Sequence, residues 1–204
     1  QILDAALDQL AAVGSTPLLA RVRTCEGMVL LHQGARECAF EVLVEADHLA
    51  AETGNCSIRL PARFEQARAA VELERSDLAA NILRDIVASS EWSAFGEYQL
   101  RARWLTGDLC LQQGQPDEAL VWVEDARTRA TALGAAFALW QVESSLGDAY
   151  QRLGRVPEAA SAFQRGRLTL QHIADALPDR ADRSHLLATA ATANLRARAN
   201  QLGR

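Results

Sequence analysis

The side chains able to do chemistry in this chain are few, and their spacing assigns them little. Four histidines, His32, His48, His172 and His185, are scattered, and no two stand at the i, i+4 spacing of a helical zinc pair. Four cysteines, Cys25, Cys38, Cys56 and Cys110, match no metal or redox spacing and read as small buried hydrophobes of a reducing compartment. Adjacent carboxylates such as Asp117 and Glu118 follow a proline where a helix should begin, so they suit the helix dipole rather than acid–base work. There is no glycine-rich phosphate loop, no Gly-x-Ser-x-Gly elbow and no His-Glu-x-x-His. The expectation is a non-enzyme with no cofactor and no metal.

What remains for such a chain is binding, and binding depends on the elements that present the side chains. About half the 204 residues are apolar, aromatics are scarce, and no run of β-branched residues bounded by hairpin dipeptides occurs. Alanine and straight-chain residues dominate and lose little rotamer freedom in a helix. The expected class is all-α. All 21 basic residues are arginine, against 26 acidic ones, and the net charge of −5 argues against direct nucleic-acid contact. No apolar run reaches the roughly 18–20 residues that span a bilayer, and no export leader precedes the first helix pattern. A cytoplasmic protein without membrane contact is expected.

The helices repeat. "LTGDLCLQQGQPDEALVWV" and "SSLGDAYQRLGRVPEAASAF" align forty residues apart, and two earlier copies fall in the same register. One column holds Gly27, Ala67, Gly107 and Gly147, and a second Gly34, Glu74, Gly114 and Gly154. A third holds Ala39, Ala79, Ala119 and Ala159, and a fourth Ala46, Ile86, Ala126 and Gly166. Small residues at fixed places let paired helices approach closely. The second column ends the first helix of each pair, helix A, with a residue that tolerates positive φ. Pro116 and Pro157, each with a glutamate close behind, open helix B. In the second copy Ser76 and Asp77 are expected to cap instead.

These columns resemble the tetratricopeptide repeat. The last copy, Leu146-Gly147-Asp148-Ala149-Tyr150 through Ala159 and Phe163, is a close match, while the second is degenerate. The usual period is about 34 residues, so a period of 40 implies helices about a turn longer. The resemblance implies a right-handed α–α superhelix in one repeat domain over 1–204. Its pairs would lie near 16–53, 59–89, 92–133 and 135–176, with Gly54-Asn55-Cys56-Ser57 and Pro61 marking a longer connection. Residues 1–13, with Ile2, Leu3, Ala6, Leu7 and Leu10 on one face, read as helix B of a partial repeat. A capping helix is expected near 180–200. The chain opens inside an amphipathic pattern, so it reads as a piece of a longer protein. Residues 172–188 are similar to the segment closing the repeat region of large bacterial signalling proteins, which carry ATPase, cyclase, kinase or DNA-binding modules.

The family's groove-facing positions are the second, fifth, ninth and twelfth of each helix A. Carried over, they give Arg21, Thr24, Met28 and Leu31, then Pro61, Phe64, Arg68 and Val71. The later copies give Arg101, Trp104, Asp108 and Leu111, then Gln141, Ser144, Asp148 and Gln151. Phe64 and Trp104, flanked by Arg68 and Arg101, have the composition of an interaction hot spot. Asp108 and Asp148 share a column suited to a cationic partner. Trp92, Trp122 and Trp140 are expected to pack at repeat junctions or on helix B. The family's carboxylate clamp for acidic chaperone tails is missing, since neither Thr24 with Met28 nor Phe64 with Arg68 supplies its Lys and Asn. The reading is a protein- or peptide-binding scaffold within a bacterial regulatory protein. Two alternatives are a small-ligand-sensing arm of an ATPase-type transcription activator and a spacer or dimerisation array. A homodimer would form through the N-terminal or the C-terminal helix.

Overall fold

The computed structural model describes residues 14–202. The helix read over 1–13, and the dimer contact assigned to it, lie outside the described residues. The described chain is all helix, turn and loop. The helices are α1 (Thr16–His32), α2 (Arg36–Glu52), α3 (Cys56–Glu72), α4 (Ser76–Ala88), α5 (Gly96–Gln112), α6 (Pro116–Leu133), α7 (Ala136–Arg152), α8 (Val156–Ala176), α9 (Arg180–Ala188) and α10 (Ala190–Leu202). The chain divides into two compact units, residues 1–102 and 103–204, with the division inside α5. In the first, α1 packs on α2 and α3, α2 on α3, and α3 on α4. In the second, α6 packs on α7, α7 on α8, and α8 on α9 and α10.

Each hairpin is made the same way, and the forty-residue register shows how. At the crossing of α1 and α2, a Cβ added to Gly27 would come within 2.4 Å of Leu43. At Gly107 it would meet Val123 at 2.3 Å, and at Gly147 the Phe163 ring at 2.3 Å. Leu43, Leu83, Val123 and Phe163 are themselves forty apart, and all are at most 0% exposed. The small column is therefore one half of a knob-and-hole contact whose other half is this large column on helix B. The turn is equally regular. Gly34, Gly114 and Gly154 have φ of 78°, 74° and 72°, and the following amide closes back on the carbonyl five residues earlier at 2.9–3.0 Å.

The second hairpin keeps this turn without glycine. Glu74 takes φ of 58°, and Arg75 N–H donates to Ala70 C=O at 2.9 Å like its counterparts. The expectation for Ser76 and Asp77 is corrected here: Arg75 is the N-cap residue, no side chain caps α4, and Asp77 lies in its first turn. A left-handed backbone at a residue with a Cβ is strained, and the turn bonds hold it there.

A charge pattern runs in the same register. Arg23 meets Glu45 at 3.4 Å, Arg63 meets Asp85 at 2.7 Å, and Arg103 meets Asp125 at 2.5 Å. In the fourth hairpin the polarity is reversed: Glu143 meets Arg165 at 2.8 Å. All four pairs are 22 residues apart, and in each the helix A member is the more buried one. A partly desolvated charge needs its partner, whichever sign it carries.

Two other boundaries differ from the sequence expectation. The connection before the second pair ends at Asn55, whose side chain accepts the Ser57 amide at 2.9 Å, and Pro61 lies inside α3. At the C-terminus the expected single helix is two, broken at Thr189, which leaves the helical region with ψ of 147°. The apolar face of α10, with Leu195 and Ala199 buried, packs on α8 of the same chain.

Candidate partner-binding site

In the first unit the expected groove positions fall into two kinds. Arg21 and Met28 on α1 are exposed. Thr24 is buried, and its hydroxyl donates to the Ala20 carbonyl of its own helix at 2.8 Å. Phe64 is only 3% exposed, so it is a packed residue and not an open anchor. Its ring meets Tyr98 edge-on at 5.8 Å, and the Arg101 guanidinium covers it at 4.6 Å. The residue next to Phe64 on the same helix is Glu65, 2% exposed. Arg68 binds it at 2.6 Å, and Arg101 approaches it at 3.8 Å. Both arginines are thus tied down by one buried carboxylate that the sequence reading did not single out. Its only signal was an i, i+3 Glu–Arg spacing, which every solvated helix also offers.

In the second unit Trp104 is half-buried, and its Nε1–H donates to Ser145 Oγ at 2.9 Å. The Ser145 side chain is also the hydrogen-bonding neighbour of Asp108. Asp108 keeps some exposure, yet burial of its carboxyl raises its pKa from the ordinary carboxylate value to about 6, against a smaller downward pull from Ser145. Asp148, one copy later, is ion-paired with Arg198 of α10. Gln141 and Ser144 on α7 are half-exposed. The structure therefore brings Trp104 and Asp108 together through Ser145, and it brings α10 onto Asp148. Neither Ser145 nor Arg198 was legible as part of a site, because both act across helix–helix contacts.

The remaining chemistry-bearing residues have structural surroundings. Trp92 is 5% exposed under the Arg59 guanidinium, Trp140 packs edge-on to Phe137, and Trp122 lies against the cluster of Cys110, Leu111, Ala119 and Ala149. Of the cysteines only Cys110 is buried, and burial pushes its thiol up to about 11. The expectation of four buried cysteines is corrected, since Cys25 and Cys38 lie on solvent-facing sides of α1 and α2. His48 sits 3.4 Å from Glu52 on an exposed turn. No group of three metal-ligating side chains occurs among the described residues.

No family model matches the chain, and no curated protein does. Solved structures do. BtubC (BKLC) from P. vanneervenii superposes with a TM-score of 0.75 at 15% identity, over 98% of this chain and 83% of that one. A Podosopora anserina putative kinesin light chain with nearly identical TPR-like repeats gives 0.61 at 20% identity, over 92% and 96%. The fold is tetratricopeptide-like. A signal-transduction ATPase with numerous domains from Pyrococcus horikoshii, described as having a tetratricopeptide repeat sensor, gives 0.68 at 14% identity, over 98% of this chain and 30% of that one. At these identities the likeness is one of fold. The tetratricopeptide-like pairs of this chain carry the 40-residue period as helices A of 17 residues each.

Proposed function

We propose that this tetratricopeptide-like chain is a scaffold domain that binds a protein or peptide segment on its helix A faces, as one repeat domain within a longer bacterial regulatory protein. The observation that supports this best is that the helix pairs bury their small and large columns in one another and leave other columns partly open. Arg21 and Met28 in the first unit, and Gln141, Ser144 and Asp148 in the second, are the open members of the second, fifth and ninth positions. The role is non-catalytic, and unpaired cysteines suit a cytoplasmic setting. Among the described residues no helix is long and apolar enough to cross a membrane.

The test is affinity capture from source-cell lysate with the chain and two folded variants, Arg21→Glu with Met28→Glu and Gln141→Arg with Gln151→Arg. Loss of a captured protein from either variant supports the helix A face of that unit. Equal capture by all three moves the site to the helix B faces, and no capture by any argues against a scaffold.

A second reading, a ligand-sensing arm, is favoured by the likeness to the ATPase with a repeat sensor. It also draws on a cleft of about 360 Å³ in the second unit, lined by Glu124, Arg127, Tyr150, Ser161 and Arg165. Tyr150 Oη–H donates to Glu124 there at 2.6 Å. A metabolite that raises the melting temperature of the chain, and not of a Tyr150→Phe variant, would favour this reading.

A further inference from the structure

Asp108 and Asp148 hold the same place in successive A helices, and the fold completes them differently. Asp148 receives the guanidinium of Arg198, which also lies 5.6 Å from the centre of the Phe163 ring. Among the described residues Asp108 receives no cation. Its neighbour is the Ser145 hydroxyl, which in turn accepts the indole N–H of Trp104. A carboxylate drawn out of water costs free energy unless a positive group answers it. Asp148 shows which group answers at this position in this fold: an arginine reaching over from another element.

The surroundings of Asp108 fit the same answer from outside. The residue keeps part of its surface open, so a side chain can reach it. Trp104 is linked to Asp108 through Ser145, two hydrogen bonds away, and an indole is the aromatic group best suited to lie beside a guanidinium. Arginine matches a carboxylate through two parallel N–H bonds, which an ammonium cannot reproduce. A partner that supplied it would bind in proportion to the desolvation already imposed on Asp108 by the fold.

Resting on the scaffold reading above, we propose that Asp108, with Trp104 and Ser145, is the docking point for an arginine side chain of a partner protein, the intermolecular counterpart of Arg198 on Asp148. The elevated pKa of Asp108 is consistent with it, since perturbed carboxylates mark such places.

The probe is Nα-acetyl-arginine methylamide, with Nα-acetyl-citrulline methylamide as the uncharged isostere. The reporter is the Trp104 indole N–H resonance, assigned by a Trp104→Phe variant. Arginine is expected to shift that resonance saturably, citrulline about tenfold more weakly. Asp108→Asn retains the acceptor for Ser145, keeps the fold by circular dichroism, and abolishes the response. Asp117→Asn, in the first turn of α6, leaves the response unchanged. Equal shifts from citrulline, an unmoved resonance, or a response that survives in Asp108→Asn would overturn the proposal. Self-association of the chain that vanishes in Asp108→Asn would also overturn it, in favour of a second copy as the arginine donor. Arginine binding without any captured protein would overturn the partner protein, and the scaffold reading with it, while keeping Asp108 as an arginine site. Protein capture that ignores Asp108 does the reverse.

Discussion

The second and fourth hairpins perform the same tasks with different residues. At the crossing, the α3–α4 hairpin has Ala67 in register with Leu83, whereas α7–α8 has Gly147 under the Phe163 ring. At the turn, one uses Glu74 at φ 58° and the other Gly154 at φ 72°. Across the pair, one sets Arg63 on Asp85 and the other Glu143 on Arg165. In the ninth position, Arg68 is tied to a neighbour on its own helix, and Asp148 to a residue of α10. Register specifies the task. The residue only has to suit its opposite number, because close packing constrains the sum of two facing side chains and not each one alone.

That lesson is exposed to experiment most severely at the reversed ion pair. Glu143→Arg places two arginines face to face with one of them buried, and should cost about 3–5 kcal/mol in chemical denaturation. The double variant Glu143→Arg with Arg165→Glu restores the polarity of the other three hairpins and should recover most of that loss. Failure to recover would mean that Glu143 answers to something besides Arg165.

A smaller effect is expected at the crossing. Gly147→Ala pushes a methyl group to within 2.3 Å of Phe163 and should cost about 1–3 kcal/mol. Adding Phe163→Leu, the pairing of the second hairpin, should return part of it in a double-mutant cycle.

Asp108→Asn should stabilise the chain at pH 7, by about 1–2 kcal/mol once partial exposure is discounted. The folded pKa of Asp108 is raised to about 6, chiefly by burial, so the folded state holds its proton more tightly than the unfolded chain. The wild-type carboxyl therefore favours folding below about pH 4 and loses that contribution as pH rises to about 6. The advantage of the asparagine variant should grow across that window and stay level above it. A pH-independent difference would mean that the carboxyl is not desolvated.

The smallest effect belongs to the turn. Glu74→Gly should stabilise the second hairpin by about 0.5–1 kcal/mol in thermal melts, since relief of a strained φ outweighs the extra freedom glycine gives the unfolded chain. No gain would show that Glu74 carries a compensating interaction.

Much of the fold was legible in the chain alone, for one physical reason: a helix pair that recurs every 40 residues writes its packing requirements into fixed columns. Gly27, Gly107 and Gly147 announce close crossings, and Gly34, Gly114 and Gly154 announce left-handed turns, before any coordinate is known. Glu74 shows the limit of such reading, because its backbone is held by bonds from its neighbours and not by its own preference. The candidate site was legible only as positions. Composition could nominate Phe64 as an anchor, but only packing put Tyr98 and Arg101 over it and left it 3% exposed. The free-looking Arg68 and Arg101 are both held by buried Glu65, and Asp148 is answered from α10. Periodicity determined which face each residue occupies, since that follows from rise and turn of one helix. Only the tertiary structure decided which charges are satisfied, because satisfaction depends on what a second element brings to within a few ångströms.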